Sequence, residues 1–174
     1  MAINGRYFVQ FRRRREGKTD YYQRQRLIVS GRNRMVIRKT NRHIIIQLVA
    51  AQMDVDYTLV HVNSRELVNY GYKGYLGNTP AAYLTGMLFA VRAQKAGYEG
   101  AIADIGLQVA SPGASVFAAV KGAVDAGFDV PVGESILPDE DRCNGVHIAE
   151  YDERFADLAA QVEAAKDAIM KELE

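Results

Sequence analysis

The sequence is poor in cysteine and proline, with one and four respectively, and has no tryptophan. A single thiol, Cys143, excludes an internal disulfide and fits a reducing, cytosolic compartment. No apolar run approaches the roughly 18–20 residues of a membrane-crossing helix. The opening MAINGRYFVQF lacks the apolar core of a secretory signal. The histidines, His43, His61 and His147, and the lone cysteine have no metal-ligand spacing. SPGAS, Ser111 to Ser115, lacks the GK[ST] ending of a phosphate loop and serves as a turn and helix start. No cofactor or metal is therefore expected. The most informative scarcity is local: residues 1–42 hold two acids, Glu16 and Asp20.

Against those two acids stand thirteen lysines and arginines, so this segment carries a formal +11. Nine basic and nineteen acidic residues give the rest of the chain −10, which leaves a net +1. Such a split is the signature of a polyanion-binding arm on an acidic body. Arg6, the run Arg12, Arg13, Arg14 and Arg15, and Lys18 lie in a stretch without apolar period, which reads as an extended arm. Arg24 and Arg26 follow on a short helix, with Tyr21 and Tyr22 beside them; one ring is expected inward and one outward. Arg32, Arg34, Arg38, Lys39 and Arg42 continue the basic surface. Thr40, Asn41 and His43 complete a turn rich in donors for sugar and phosphate.

A guanidinium grips phosphate with a planar fork and keeps its charge at physiological pH. Tyrosines beside arginines suit stacking on unpaired RNA bases. About six phosphate contacts would make binding fall four to five orders of magnitude per tenfold rise in salt. An anionic membrane is the rival polyanion, but the neighbouring residues offer no apolar helical face to lie on one.

Periodicity predicts one α/β domain over residues 19–174 behind the arm of residues 1–18. TDYYQRQRLIVSG reads as a helix capped by Thr19 and stopped at Gly31. RMVIRKT and HIIIQLVA read as a hairpin, with Arg34, Val36 and Arg38 on one face and Met35 and Ile37 on the other. TLVHVNS is a third strand, followed by a turn-rich passage with Tyr70, Tyr72 and Tyr75. Thr79 and Pro80 open a helix with a Leu84, Met87, Leu88, Val91 stripe. AIADIGL is a short strand, and a second helix carries Val116, Val120, Ala123 and Val124. Asp152 to Glu174 reads as a third helix striped by Phe155, Leu158, Val162, Ala165 and Ile169. The layout is a mixed sheet covered by helices.

Two features point towards an enzyme, the SPGAS turn, which could cradle a phosphate but lacks the phosphate-loop ending, and Asp104. Asp104 lies on an apolar strand, as the first catalytic aspartate of an RNase H-type nuclease does. Two-metal chemistry needs several converging carboxylates, and no second one has recognisable spacing, so Asp104 reads as a structural acid. A basic-armed adaptor for acidic proteins is a further alternative.

Six stretches then become familiar in order: RRRREGKTDYYQRQRL, RKTNRHIIIQLV, GNTPAAYLTGML, ADIGL, SPGASVFAAVKGAVDAG and GVHIAEYDE. Together, over most of residues 6–153, they resemble the large-subunit ribosomal protein family L-eighteen in its archaeal form, whose eukaryotic counterpart is L-five. The resemblance implies a non-enzymatic, cytoplasmic ribosomal protein that binds 5S rRNA and helps seat it on 23S-type rRNA in the central protuberance, beside neighbouring ribosomal proteins. It also implies an α/β sandwich related to the RNase H fold. Arg6 to Lys18, the Thr19–Arg26 helix and the Arg38–His43 turn match the family's RNA-binding elements. The archaeal pattern often runs on at its carboxyl end, where this sequence closes with the helix to Glu174.

Overall fold

The computed structural model describes residues 4–52 and 55–172. Where an extended arm is expected, Arg12–Arg15 forms one helical turn, α1. Phe11, which begins it, lies 5.3 Å ring to ring from Tyr21, so an aromatic contact sets the turn beside the next helix. That helix, α2, spans Tyr21–Val29. Its cap is Asp20, not Thr19: the carboxylate accepts from the amides of Tyr22 and Gln23 at 2.9 and 3.2 Å. An anion at this end also meets the helix dipole. The Thr19 hydroxyl instead accepts from Arg13 Nε at 2.8 Å.

Four strands follow: β1 (Arg34–Lys39), β2 (Ile44–Ala51), β3 (Asp56–Asn63) and β4 (Ile102–Asp104). They lie in the order β3-β2-β1-β4, antiparallel except for β4, which runs parallel to β1. The fold is α/β with a mixed sheet, as the sequence predicts. Met35 and Ile37 pair in register with Leu48 and Ile46, and all four are buried with Ile44, Val60 and Val62. The opposite face carries Arg34, Val36 and Arg38 as expected, yet Arg34 and Val36 are buried there too.

The passage after β3, expected as turns, is a 3-10 helix over Ser64–Tyr70, fixed by a capping box between Asn63 and Glu66. Helix α3 spans Thr79–Lys95; its cap is Asn78, which accepts from Ala81 N at 2.9 Å, and Pro80 occupies the first turn. The predicted stripe understates its burial, because thirteen of its seventeen residues are buried. The helix packs against the sheet, against α4 (Ser115–Asp125) and against α7 (Leu158–Met170). Gly86 and Gly122 permit the α3–α4 crossing: a Cβ on either would come within 3.0 Å of backbone on the other helix. Val124, expected in the α4 stripe, is exposed, and Phe117 and Ala119 are buried instead.

The single helix expected from Asp152 is divided. Within that span a 3-10 turn at Glu153–Phe155 precedes α7, while α5 (Glu140–Asn144) and α6 (Val146–Tyr151) lie before it. Asp152 is extended, with φ of −136°, and its carboxylate caps Arg154 N, so it ends one helix and starts the next. Leu158, Val162, Ala165 and Ile169 are buried as the stripe predicts. The Tyr70 hydroxyl donates to Glu172; Leu173 and Glu174 lie outside the described residues.

Candidate nucleic-acid interface

The basic segment divides by what its charges touch. Arg34 is 3 % exposed, and its guanidinium donates to Asp104 at 2.9 Å and to Asp56 at 2.7 Å. It was expected on the RNA face; its position instead assigns it to the fold, because a buried cation needs paired carboxylates. Arg24 closes a two-pronged fork on Asp56 at 2.7 and 2.9 Å. That fork holds the Asp56 carboxyl below its ordinary range, and the same bond raises Arg24. Arg38 donates to the main-chain oxygens of Ile37 and Asp104 at 2.8 and 2.7 Å and to Asp104 Oδ1 at 3.1 Å. Arg32 meets Asp129 at 3.4 Å on the surface.

Asp104 therefore lies between two guanidiniums and also accepts from Gly106 N at 2.9 Å. Gly106 has φ of +65°, and a Cβ there would come within 3.0 Å of the Arg38 guanidinium. A carboxylate so engaged is a strut for the sheet rather than a metal ligand. Among the described residues, no group of three or more His, Cys, Asp or Glu is placed to hold an ion.

Within the arm, Glu16 pairs with Lys18 at 2.9 Å and Arg12 at 3.9 Å. Seven cations of the first 42 residues have no carboxylate partner among the described residues: Arg6, Arg13, Arg14, Arg15, Arg26, Lys39 and Arg42. All seven are exposed. Arg14 lies 4.9 Å over the ring of Tyr22, which is itself 64 % exposed. Tyr21 is half-buried against Phe11, so the expected in-and-out pair is realised at the surface rather than in the core.

The β1–β2 turn is built from its own donors. The Thr40 hydroxyl donates to His43 O at 2.9 Å and accepts from His43 N at 3.0 Å. The Tyr75 hydroxyl donates to Asn41 O. His43 Nε2 accepts from Arg65 Nε at 2.9 Å, which places the ring proton on Nδ1. Loss of hydration, then the charges of Arg65 and Arg42, push this imidazole down from its ordinary pKa. Thr40 and His43 thus hold the turn, while Lys39 and Arg42 project from it. Sequence reasoning missed Asp56 and Arg65, which hold Arg24 and His43 from 32 and 22 residues away; no local pattern signals such pairing.

No helix among the described residues is long and apolar enough to cross a membrane. Residues 5–98 match the family described as ribosomal large subunit proteins 60S L5 and 50S L18. The chain is 90 % identical over 174 residues to the large ribosomal subunit protein uL18 of Methanocorpusculum labreanum, covering all of both chains. It is 62 % identical over 173 residues to that of Methanoregula boonei, covering 99 % of each. With the Staphylothermus marinus protein of the same name it shares 55 % over 152 residues, 87 % of this chain and 75 % of the other. A basic face with seven cations unpaired among the described residues, with full-length similarity of this degree, has one conclusion: the chain belongs to the family of large-subunit ribosomal proteins that includes 60S L5 and 50S L18.

Proposed function

We propose that this chain, a structural protein of the cytoplasmic large ribosomal subunit, binds 5S rRNA and helps attach it to 23S-type rRNA in the central protuberance. Neighbouring ribosomal proteins there would meet its remaining surface. The observation that carries this reading is the set of seven exposed cations without carboxylate partners among the described residues. Phosphates supply the missing charge, and Arg14 with Tyr22 offers a cation and a ring to one unpaired base. We assign residues 1–18 as the RNA-binding arm and residues 19–174 as one α/β domain. The order β3-β2-β1-β4 with a parallel β4 supports the RNase H-type relation. The two guanidiniums on Asp104 support a structural rather than a catalytic use of that fold.

Titration of 5S rRNA with the protein against a tRNA competitor, at several salt concentrations, tests the proposal. Tight, selective binding that weakens strongly on deletion of residues 1–18 is expected. Equal affinity for the two RNAs would reduce the protein to a generic polyanion binder.

A further inference from the structure

Between α2 and the segment that follows β4 lies a cleft of about 670 Å3, within the range of about 300–1,000 Å3 of small-ligand pockets. Arg34, Asp56 and Asp104 line it, with Thr19 and Gln23 on the α2 side and Ile105 to Gln108 on the other. Arg13 and Lys18 also line it, with Arg24 and Arg38. Five basic side chains thus meet the carboxylates of Asp20, Asp56 and Asp104, and Lys18 is paired with Glu16 at the rim, which leaves a surplus of one positive charge. Arg34, buried in the lining, keeps an Nε hydrogen with no acceptor among the described residues. Native proteins seldom leave such a donor unmet. The side chains of Leu27, Leu107 and Tyr21 give the cleft apolar surface as well, and Gln23 and Gln108 add amides that both donate and accept.

We infer that this cleft receives one unpaired nucleotide of an RNA chain. A phosphate that flanks the nucleotide brings the negative charge the lining lacks. The base finds apolar surface to rest on and amides able to pair with its edge. An unpaired base can be splayed out in this way, whereas one held in a duplex cannot leave its stack without cost. The inference rests on the RNA-binding role proposed above and adds a nucleotide-sized site to it. Ile105 to Gln108, a segment outside the basic face read from sequence, becomes part of the interface.

The test uses two labelled RNA hairpins that differ in one bulged nucleotide, with 5S rRNA measured in parallel. Wild-type protein is expected to bind the bulged hairpin about tenfold more tightly than the paired one. Gln23→Glu adds a carboxylate to the cleft wall at the third residue of α2, in the first turn where the helix dipole favours an acid, so the helix is kept. This variant should retain its thermal midpoint and lose the preference to below twofold, while its affinity for the paired hairpin falls less than threefold. Gln108→Ala, on the other wall, should lower the preference several-fold. Equal wild-type binding of both hairpins with 5S rRNA still bound tightly overturns the cleft alone; loss of 5S rRNA binding overturns the proposed function as well. An equal loss on both hairpins in Gln23→Glu assigns all binding to the arm and overturns the site. Saturable binding of AMP below millimolar concentration without bulge preference makes the cleft a free-nucleotide site and overturns the RNA assignment.

Discussion

Arg34 donates to Asp104 at 2.9 Å across neighbouring parallel strands, with both side chains less than a tenth exposed. Asp56 takes the second prong at 2.7 Å. Removing the cation leaves the buried Asp104 with only Arg38 and Gly106 N, and breaking a buried pair costs about 3–5 kcal/mol. Arg34→Met should therefore be far more damaging than Arg38→Met, whose side chain is 44 % exposed. Urea unfolding of the two variants measures the difference; equal losses would remove Arg34 from its structural role.

Gly86→Ala should loosen the α3–α4 crossing, because the added methyl meets the Ala119 backbone rather than a movable side chain. Overpacking costs about 1–3 kcal/mol, occasionally more. In a chain of this size each kcal/mol lowers the thermal midpoint by roughly 2–4 °C. Differential scanning calorimetry reads the shift, and a midpoint unchanged in Gly86→Ala would refute the close approach.

Asp56 makes stability depend on acid. Its carboxyl is depressed below the ordinary value of 3.8, first by the Arg24 fork. A depressed carboxyl contributes stability that is present above its unfolded pKa and is lost as pH falls through the still lower folded value. The urea midpoint of the wild type should therefore drop between pH 5 and pH 3. Asp56→Asn should start lower and drop less over the same interval.

Unpartnered and partnered arginines should differ in their share of RNA affinity. Arg42→Gln removes an exposed cation, so the slope of log K against log salt should shrink by about 0.7–0.9 if it holds one phosphate. Arg24→Gln should change the slope less, since its fork is engaged on Asp56. Nitrocellulose filter binding across a salt series separates the two.

Cys143 should be inert. It is buried, and desolvation raises its thiol pKa above the ordinary value. The thiolate is the reactive form, so alkylation of the folded protein should run orders of magnitude slower than in urea. Fast modification under native conditions would place the thiol at the surface.

The strands and the two long helices were legible because each carries its own pattern: the alternating run Ile44 to Leu48, and the 3.6-residue stripe from Leu158 to Ile169. The caps were misplaced by one residue at Asp20 and Asn78, where two adjacent residues can both accept from the free amides and local geometry chooses. The basic face was readable as a whole from its charge, but the fate of individual arginines was not. Arg34 and Arg42 look alike in sequence; what separates them is Asp104, seventy residues from Arg34 along the chain and reached only when β4 pairs with β1. The cleft was invisible for the same reason, since α2 and Gln108 meet only in the folded chain.

The packing of α7 on α3 has a consequence for synthesis. About 75 residues separate the end of α3 from the end of α7. At the usual elongation rate of 5–20 residues per second, a nascent chain spends roughly 4–15 s with that flank of α3 uncovered. During this interval the emerging polypeptide displays greasy surface together with a cationic leader, a pairing that invites premature aggregation with nucleic acid. Early shielding of either part would protect the newborn protein until α7 docks.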